Sequence, residues 1–211
     1  MIKDSVPVFP LNVPLLPGCY LPLQIFEKRY LDMVSDCMRH NTGFVVALLQ
    51  QGAENQEVIL PNKNTPLIEV PFYSIGTFAE IVDFGQRDNG LLSITIKGKQ
   101  RENLSNISQQ ESGLWMASTQ FRPDSGTPDG IDEDVLETLL QRALVHSDGI
   151  GSLIRAETLS SELVMNYLIM LLPLPADLKN TLIDLDDLQE RWLKLRGVIS
   201  TLLAAENSGV Q

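Results

Sequence analysis

The chain has 211 residues, of which 44% are hydrophobic and 20% charged, with a formal net charge of -11 and a pI of about 4.6. This composition is typical of a globular protein, and the length suits one or two domains with a real core. An electrostatic field of this sign repels phosphate, so we expect no binding to nucleic acid or to an anionic membrane surface. Most of the charge lies in residues 126–211, which have a net charge of -8.

The cysteine content and the apolar runs indicate where the protein resides. Cys19 and Cys37 are too few for a disulfide framework in a chain of this size and indicate two reduced thiols. The N-terminus has no apolar run of signal-peptide length, and the longest apolar run, residues 163–175, is too short to span a bilayer. We therefore expect a soluble, cytoplasmic protein.

Residues 1–122 have the pattern of a β-rich domain. Asn89-Gly90 lies between two alternating runs and is a strong hairpin signal. One helix interrupts the strands, because six apolar residues recur at helical spacing. Those residues are Phe26, Tyr30, Met33, Val34, Cys37 and Met38. Short apolar runs bounded by Pro and Gly predict strands at residues 6–9, 19–23, 43–50, 57–61, 66–72, 75–84, 91–99 and 114–121.

The opening stretch is apolar but rich in proline. Proline has no N–H and survives in sheets at edges, strand starts and bulges. We therefore predict edge strands and extended connections over a core, with a groove wall for an extended polypeptide as the functional alternative. The prolines are Pro7, Pro10, Pro14, Pro17 and Pro22.

Residues 123–130, which are rich in Pro, Gly and Asp, predict a linker between a domain over 1–122 and a helical bundle over 131–206. The apolar period then changes to 3.6 residues, which predicts four helices. Ser160 or Ser161 is expected to cap one helix, and Asp184 or Asp186 the last. The helices are predicted at residues 131–147, 160–172, 176–185 and 186–206.

Three separated motifs resemble the Lon N-terminal domain family. The first is FPLNVPLLPGCYLPLQIFEKRYLDMV, from Phe9 to Val34, with its Phe26-Glu27 and Arg29-Tyr30 pairs. The second combines Gly76, the Asn-Gly turn, Gly98 and Arg101, and the third is the proline break with the final helices. The sequence departs from the family at Glu102, where the family prefers an aromatic residue.

The resemblance implies an α+β fold: a β-rich, PUA-like pseudo-barrel with one helix, followed by a small C-terminal helical bundle. In Lon proteases this domain recognises substrates and assists assembly, ahead of an ATPase and a Ser-Lys protease. This sequence has no G-x-x-x-x-G-K-[ST] motif, since Gly98-Lys99 is followed by Gln100. The chain therefore looks like a free-standing, noncatalytic homologue.

Alternative chemistry has little support in the residues. Cys37 and His40 share a helix face, but two ligands are too few for a zinc site, and His146 lies in the other domain. The alternative of a Cys19 or Cys37 nucleophile with His40 as its base has no visible activating context. We expect neither a metal nor a cofactor. The acidic residues Asp132, Glu133, Asp134, Asp184, Asp186 and Asp187 fit helix starts and a solvated face better than catalytic pairs.

Two charged motif residues have two interpretations. Glu27 and Arg101 form a charge pair that ties the helix to the barrel, with Arg29 as a competing partner, or one of them contacts a bound chain. Three aromatic residues in β connections, Tyr20, Phe72 and Tyr73, are candidates to line a groove.

The predicted function is a noncatalytic module that binds unfolded or extended polypeptide segments, or a protease partner such as a Lon-type protease. The alternatives are an adaptor that binds a folded partner and a small-molecule-binding or enzymatic domain. The resemblance also makes a homodimer an alternative to a monomer.

Overall fold

The fold is taken from a computed structural model that describes residues 2–52, 69–87, 89–130, 133–144, 150–154 and 159–208. The strands are β1 Ile2–Leu11, β2 Tyr20–Ile25, β3 Phe44–Leu49, β4 Phe72–Gln86, β5 Leu92–Gln109 and β6 Trp115–Arg122. The helices are α1 Lys28–His40, α2 Glu133–Leu144, α3 Ile150–Ile154, α4 Ser161–Leu171, α5 Ala176–Asp184 and α6 Leu188–Ser208. Strands precede helices apart from α1, which confirms the predicted α+β fold.

The described strands close into a barrel in the order β5-β4-β3-β1-β6, because the second half of β5 pairs with β6. The first half of β5 pairs with β2, which stands outside the ring. β1 and β3 are parallel and the other neighbours are antiparallel. The predicted Asn89-Gly90 hairpin is confirmed by the pairing of β4 with β5. The strand predicted at 57–61 and the start of the one predicted at 66–72 lie outside the described residues.

The two faces of the barrel wall are both buried, and they belong to different clusters. Val45 points into the barrel with Phe72 and Trp115, whose rings meet edge to face at a centroid distance of 5.5 Å. Val46, the next residue, belongs to the outer cluster that α1 and the C-terminal helices cover. This alternation follows from the two-residue period of a strand. Buried strands of this kind read as continuous apolar runs, as Phe44–Leu49 does.

β2 shows what one proline of the opening stretch does. Within the described strands β2 pairs with β5 alone, so no strand lies beside its other edge. The N–H of Tyr20 points to that edge and donates to Tyr167 Oη at 3.0 Å. The backbone nitrogen of Pro22, two residues later, faces the same edge and has no hydrogen to donate. The edge is therefore closed to further strand pairing, as the prediction of proline-blocked edges requires.

Helix α1 begins later than its predicted apolar face. Glu27 is the last extended residue before the helix, so Phe26 lies outside it and is 69% exposed. Met38 is also exposed, and the placement of both residues on the buried face was wrong. Helical spacing has no meaning for a residue that precedes the helix. Tyr30, Met33 and their neighbours Val34 and Cys37 are buried as predicted.

The C-terminal helices pack on the outer cluster of the barrel through residues such as Leu140, Tyr167 and Trp192, so one apolar core joins both parts of the chain. The division into two domains at about 123–130 stays a prediction. In the described ranges, no helix combines the length and apolar character needed to cross a membrane.

Two helix caps were predicted from the sequence. Ser160 caps α4, since its hydroxyl accepts from Leu163 N at 3.2 Å, as predicted. Asp187, rather than Asp184 or Asp186, caps α6 by accepting from the Gln189 and Glu190 amides. The other two aspartates are engaged by arginines instead. The short helix α3 was not predicted.

A substitution at Gly98 tests the close approach between β5 and the loop that precedes β2. A Cβ at this position would lie 2.3 Å from the carbonyl oxygen of Leu16, a backbone atom that has little room to move. Gly98→Ala should therefore lower the free energy of unfolding by about 2 kcal/mol. Gly85→Ala in β4 is the matched control, since nothing lies within 4 Å of its added Cβ. Equal stabilities of the two variants in urea would contradict this packing.

Candidate functional site

A cluster of three arginines and three aspartates lies where the barrel meets the helices. We call it the junction cluster. Two of its arginine side chains, those of Arg101 and Arg191, are fully buried, and both approach the Asp124 carboxylate. The third arginine, from β6, lies 2.7 Å from Asp184. The members are Arg101, Arg122, Arg191, Asp124, Asp184 and Asp186.

Arg101 crosses from the barrel to the helical part. Its guanidinium donates to the Ile183 carbonyl at 2.7 Å and to Asp186 at 2.9 Å. It lies 2.8 Å from Asp124, which follows β6. The predicted pair of Arg101 with Glu27 was therefore wrong, because β5 directs Arg101 toward α5 and α6, away from the start of α1.

Glu27 pairs instead with Arg29, the competing partner, at 2.7 Å. Arg29 also donates to the carbonyl of Gly113 at 2.8 Å, in the turn between β5 and β6. The tie between helix and barrel that was expected of Glu27 and Arg101 is thus made by Arg29. Both charges of the Phe-Glu-x-Arg-Tyr motif therefore have partners within the chain.

The junction cluster shifts the titration of one of its acids. The Arg122 guanidinium, followed by that of Arg101, holds the pKa of the Asp186 carboxyl below its usual value. Partial desolvation opposes this shift. A lowered carboxyl pKa means that the folded state favours the charged form. The cluster therefore stabilises the fold when Asp186 is ionised.

The three predicted groove aromatics lie in different environments. Phe72 is 2% exposed inside the barrel, so it offers no surface to a bound chain, and its place among groove residues was wrong. Barrel closure, a non-local event, is what buries it. Tyr73 donates its hydroxyl to Asp177 of α5, and burial raises its pKa to about 12. The Tyr20 hydroxyl accepts from Lys97 Nζ at 2.9 Å. Tyr20 and Tyr73 remain partly exposed.

Three further motif residues, Tyr30, Gly76 and Gly98, are packing residues. Tyr30 stacks on Phe9 at a centroid distance of 4.1 Å, and burial raises its pKa to about 12. Gly76 allows β3 to approach, since a Cβ there would lie 2.4 Å from Val45 Cγ1. With Gly98, these residues account for much of the motif as requirements of the fold.

A cleft of about 390 Å³ runs between α1 and the turn that joins β5 to β6. We call it the α1 cleft. Its rim is polar and exposed, with acids and a histidine on the helix and amide and hydroxyl groups on the turn. Its apolar floor consists of Pro7, Met33, Cys37, Leu114 and Met116. Its rim consists of Asp32, Asp36, His40, Thr42, Gln110 and Ser112, with Arg29 also lining the cleft.

Sequence reasoning missed most of the α1 cleft. Pro7 and Met116 are register partners on β1 and β6, and they face the outside because Val6 and Val8 point into the barrel. The signal available in the sequence was an apolar residue at each outward position between two inward ones, which indicates that the outer face of the strand is also covered. Their meeting with α1 depends on strand pairing across more than a hundred residues, which local patterns do not predict.

The α1 cleft contains the cysteine and histidine that were considered for catalysis. Cys37 Sγ donates to the Gly43 carbonyl at 3.6 Å, and burial raises the pKa of the thiol. His40 Nδ1 lies 2.9 Å from the Asp36 carbonyl. A thiol with a raised pKa is a weak nucleophile, so this arrangement does not activate Cys37.

The described residues contain no group of three His, Cys, Asp or Glu side chains arranged to hold a metal. His146 and Asp132 lie outside the described residues.

The model of the ATP-dependent protease La (Lon) substrate-binding domain matches residues 5–199. The chain belongs to this family. A Lon N-terminal domain protein from Xanthomonas campestris has the same fold, with a TM-score of 0.66 and 28% identity over 92% of this chain and 98% of that one. The match is to the substrate-binding domain and to none of the protease's catalytic domains.

Curated relatives are longer than this chain. Cereblon of Gallus gallus is 26% identical over 146 residues, which are 67% of this chain and 29% of that protein. The Lon protease of Flavobacterium johnsoniae is 21% identical over 200 residues, which are 90% of this chain and 23% of that protein. The chain thus spans less than a third of the length of these relatives.

The lowered pKa of Asp186 gives a pH test of the junction cluster. A carboxyl with a folded pKa below its unfolded value, about 3.9, stabilises at higher pH, and this contribution is lost as the pH falls through the folded pKa. Asp186→Asn should therefore lower the free energy of unfolding near neutral pH, and its difference from the unsubstituted chain should shrink below about pH 4. Urea unfolding followed by tryptophan fluorescence measures both effects.

The control for this test is Asp36→Asn, which removes an exposed pair with Arg39. Exposed pairs contribute little, so we expect a change of about 0.5 kcal/mol or less at any pH. A destabilisation by Asp186→Asn that stays constant down to acid pH would contradict the assigned role.

Proposed function

We propose that this chain is a noncatalytic polypeptide-binding module whose α1 cleft accepts an extended segment of another protein. The observation that carries the proposal is membership of the Lon substrate-binding domain family over residues 5–199. The absence of catalytic-domain matches supports a binding role. The α1 cleft is the site that we propose for the bound segment.

The shape and chemistry of the α1 cleft support this choice. Its volume lies within the range of clefts that bind ligands, roughly 300–1,000 Å³. Met33, Leu114 and Met116 give a flexible apolar floor, and methionine adapts to side chains of different shape. Such a floor suits a binder of varied sequences. The polar rim supplies hydrogen-bond partners for the backbone groups of an extended chain.

The rim charges argue for apolar rather than charged segments. Asp32 lies 3.0 Å from Lys28, and Asp36 lies 3.0 Å from Arg39, so both acids of α1 are already paired. The rim therefore contributes little net field of its own. We infer that the α1 cleft selects apolar segments, which unfolded polypeptides expose and folded proteins bury.

Met116→Ser tests the α1 cleft directly. The side chain is half-buried in the floor, and losing its burial against a bound segment should raise Kd about tenfold. Fluorescence anisotropy of a labelled, permanently unfolded polypeptide measures the change, at low and moderate salt. Met38→Ser is the matched control, because Met38 is exposed on α1 and does not line the cleft.

Two results would overturn the proposal. The first is no binding by the unsubstituted chain at concentrations of tens of micromolar. The second is equal weakening by Met116→Ser and Met38→Ser. In either case a folded partner, including a Lon-type protease, becomes the better candidate, and capture of a defined folded partner would support it.

A further inference from the structure

The interior of the barrel changes from apolar to polar toward one end. Leu104 on β5 and Ala117 on β6 belong to the apolar interior cluster. Side chains two residues apart on a strand point to the same face. Toward this end of the barrel, Glu102 therefore follows Leu104 on the interior face of β5, and Thr119 follows Ala117 on that of β6. We call this end the barrel mouth. Its residues are Lys3, Phe78, Gln100, Glu102, Thr119 and Phe121.

The floor of the barrel mouth holds buried polar groups that the fold does not fully use. Glu102 is 2% exposed, and its carboxyl accepts a hydrogen bond from Gln100 at 2.6 Å. Within the described residues no ion pair joins Glu102 to a cation. Thr119 is 1% exposed, and its hydroxyl has no hydrogen-bond partner there. Buried polar groups of this kind are costly unless a partner satisfies them.

The rim of the barrel mouth is aromatic and already attracts an ammonium group. Lys3 Nζ lies 4.7 Å from the centroid of the Phe78 ring, a cation–π contact within the chain. Phe121, the register partner of Glu102, is 48% exposed and is a second ring at the same end. Gly76, the other register partner of Glu102, adds no side chain to the interior.

We propose that the barrel mouth binds a primary ammonium or guanidinium group from outside the chain. Glu102 is the counter-ion, the Thr119 hydroxyl accepts a hydrogen bond, and the Phe121 ring covers the cation. Hydrogen bonds between a cation and a carboxylate are among the strongest in proteins, and cations prefer aromatic faces. The net charge of -11 favours the approach of such ligands. This site does not depend on the α1 cleft.

The test is a nuclear magnetic resonance titration of the full chain with short peptides that differ at one residue. A peptide with a central lysine should give saturable shifts at the amides of Glu102, Thr119 and Phe121. The same peptide with norleucine has the same stem without the charge and should give none. n-Butylammonium is the third probe. Binding of n-butylammonium would show that the amine suffices alone, and no binding would show that the amine must belong to a peptide. Either result supports the site, provided that the lysine peptide binds.

Variants locate the binding. Glu102→Gln preserves the shape of the side chain and should weaken lysine-peptide binding about tenfold. Phe121→Leu should weaken it several-fold, whereas Phe84→Leu should not. Phe84 is also exposed, but its register partner is Ile94, which lies about 26 Å from Glu102 along β5. Equal binding of the norleucine peptide, or unchanged affinity in a folded Glu102→Gln variant, would overturn the proposal. Spectra of each variant outside the mouth report whether it is folded.

Discussion

The buried guanidinium of Arg101 is the interaction on which the arrangement of barrel and helices depends. Its side chain has no exposure, so each polar partner must come from the protein itself. Those partners are carbonyls and carboxylates of the segment after β6, of the end of α5 and of the connection between α5 and α6. Removing any one of these segments would leave the buried guanidinium with fewer polar partners, and that cost helps to hold the helices against the barrel.

The sequence predicted the elements well and their long-range contacts poorly. Alternation around Asn89-Gly90 and the 3.6-residue period after residue 130 are local signals, and both correspond to the structure. The Glu27–Arg101 pair and an exposed Phe72 failed because they depend on closure of the barrel. That closure joins β5 to β6, and β6 pairs in turn with β1, the first strand. Proximity along a motif does not reveal which side of a strand a residue occupies.

Much of the family motif describes the fold rather than a ligand. Tyr30 stacks in the core, Arg29 binds a turn, and Gly98 lets two backbones meet. The surfaces that we propose for binding lie elsewhere: an apolar cleft beside α1, and a polar, aromatic end of the barrel. Their chemistries differ, so the two proposals assign separate places to an apolar segment and to a cationic group. The longer curated relatives carry this domain as less than a third of their length.

We propose that an extended polypeptide occupies the α1 cleft. Hydrogen–deuterium exchange with and without a saturating unfolded polypeptide tests this proposal most directly. Backbone amides around the cleft should exchange more slowly when it is filled. We predict slower exchange in residues 28–42 and 110–116, which form its two sides, with little change at the junction cluster. Unchanged exchange in both segments, or protection confined to α5 and α6, would contradict the account.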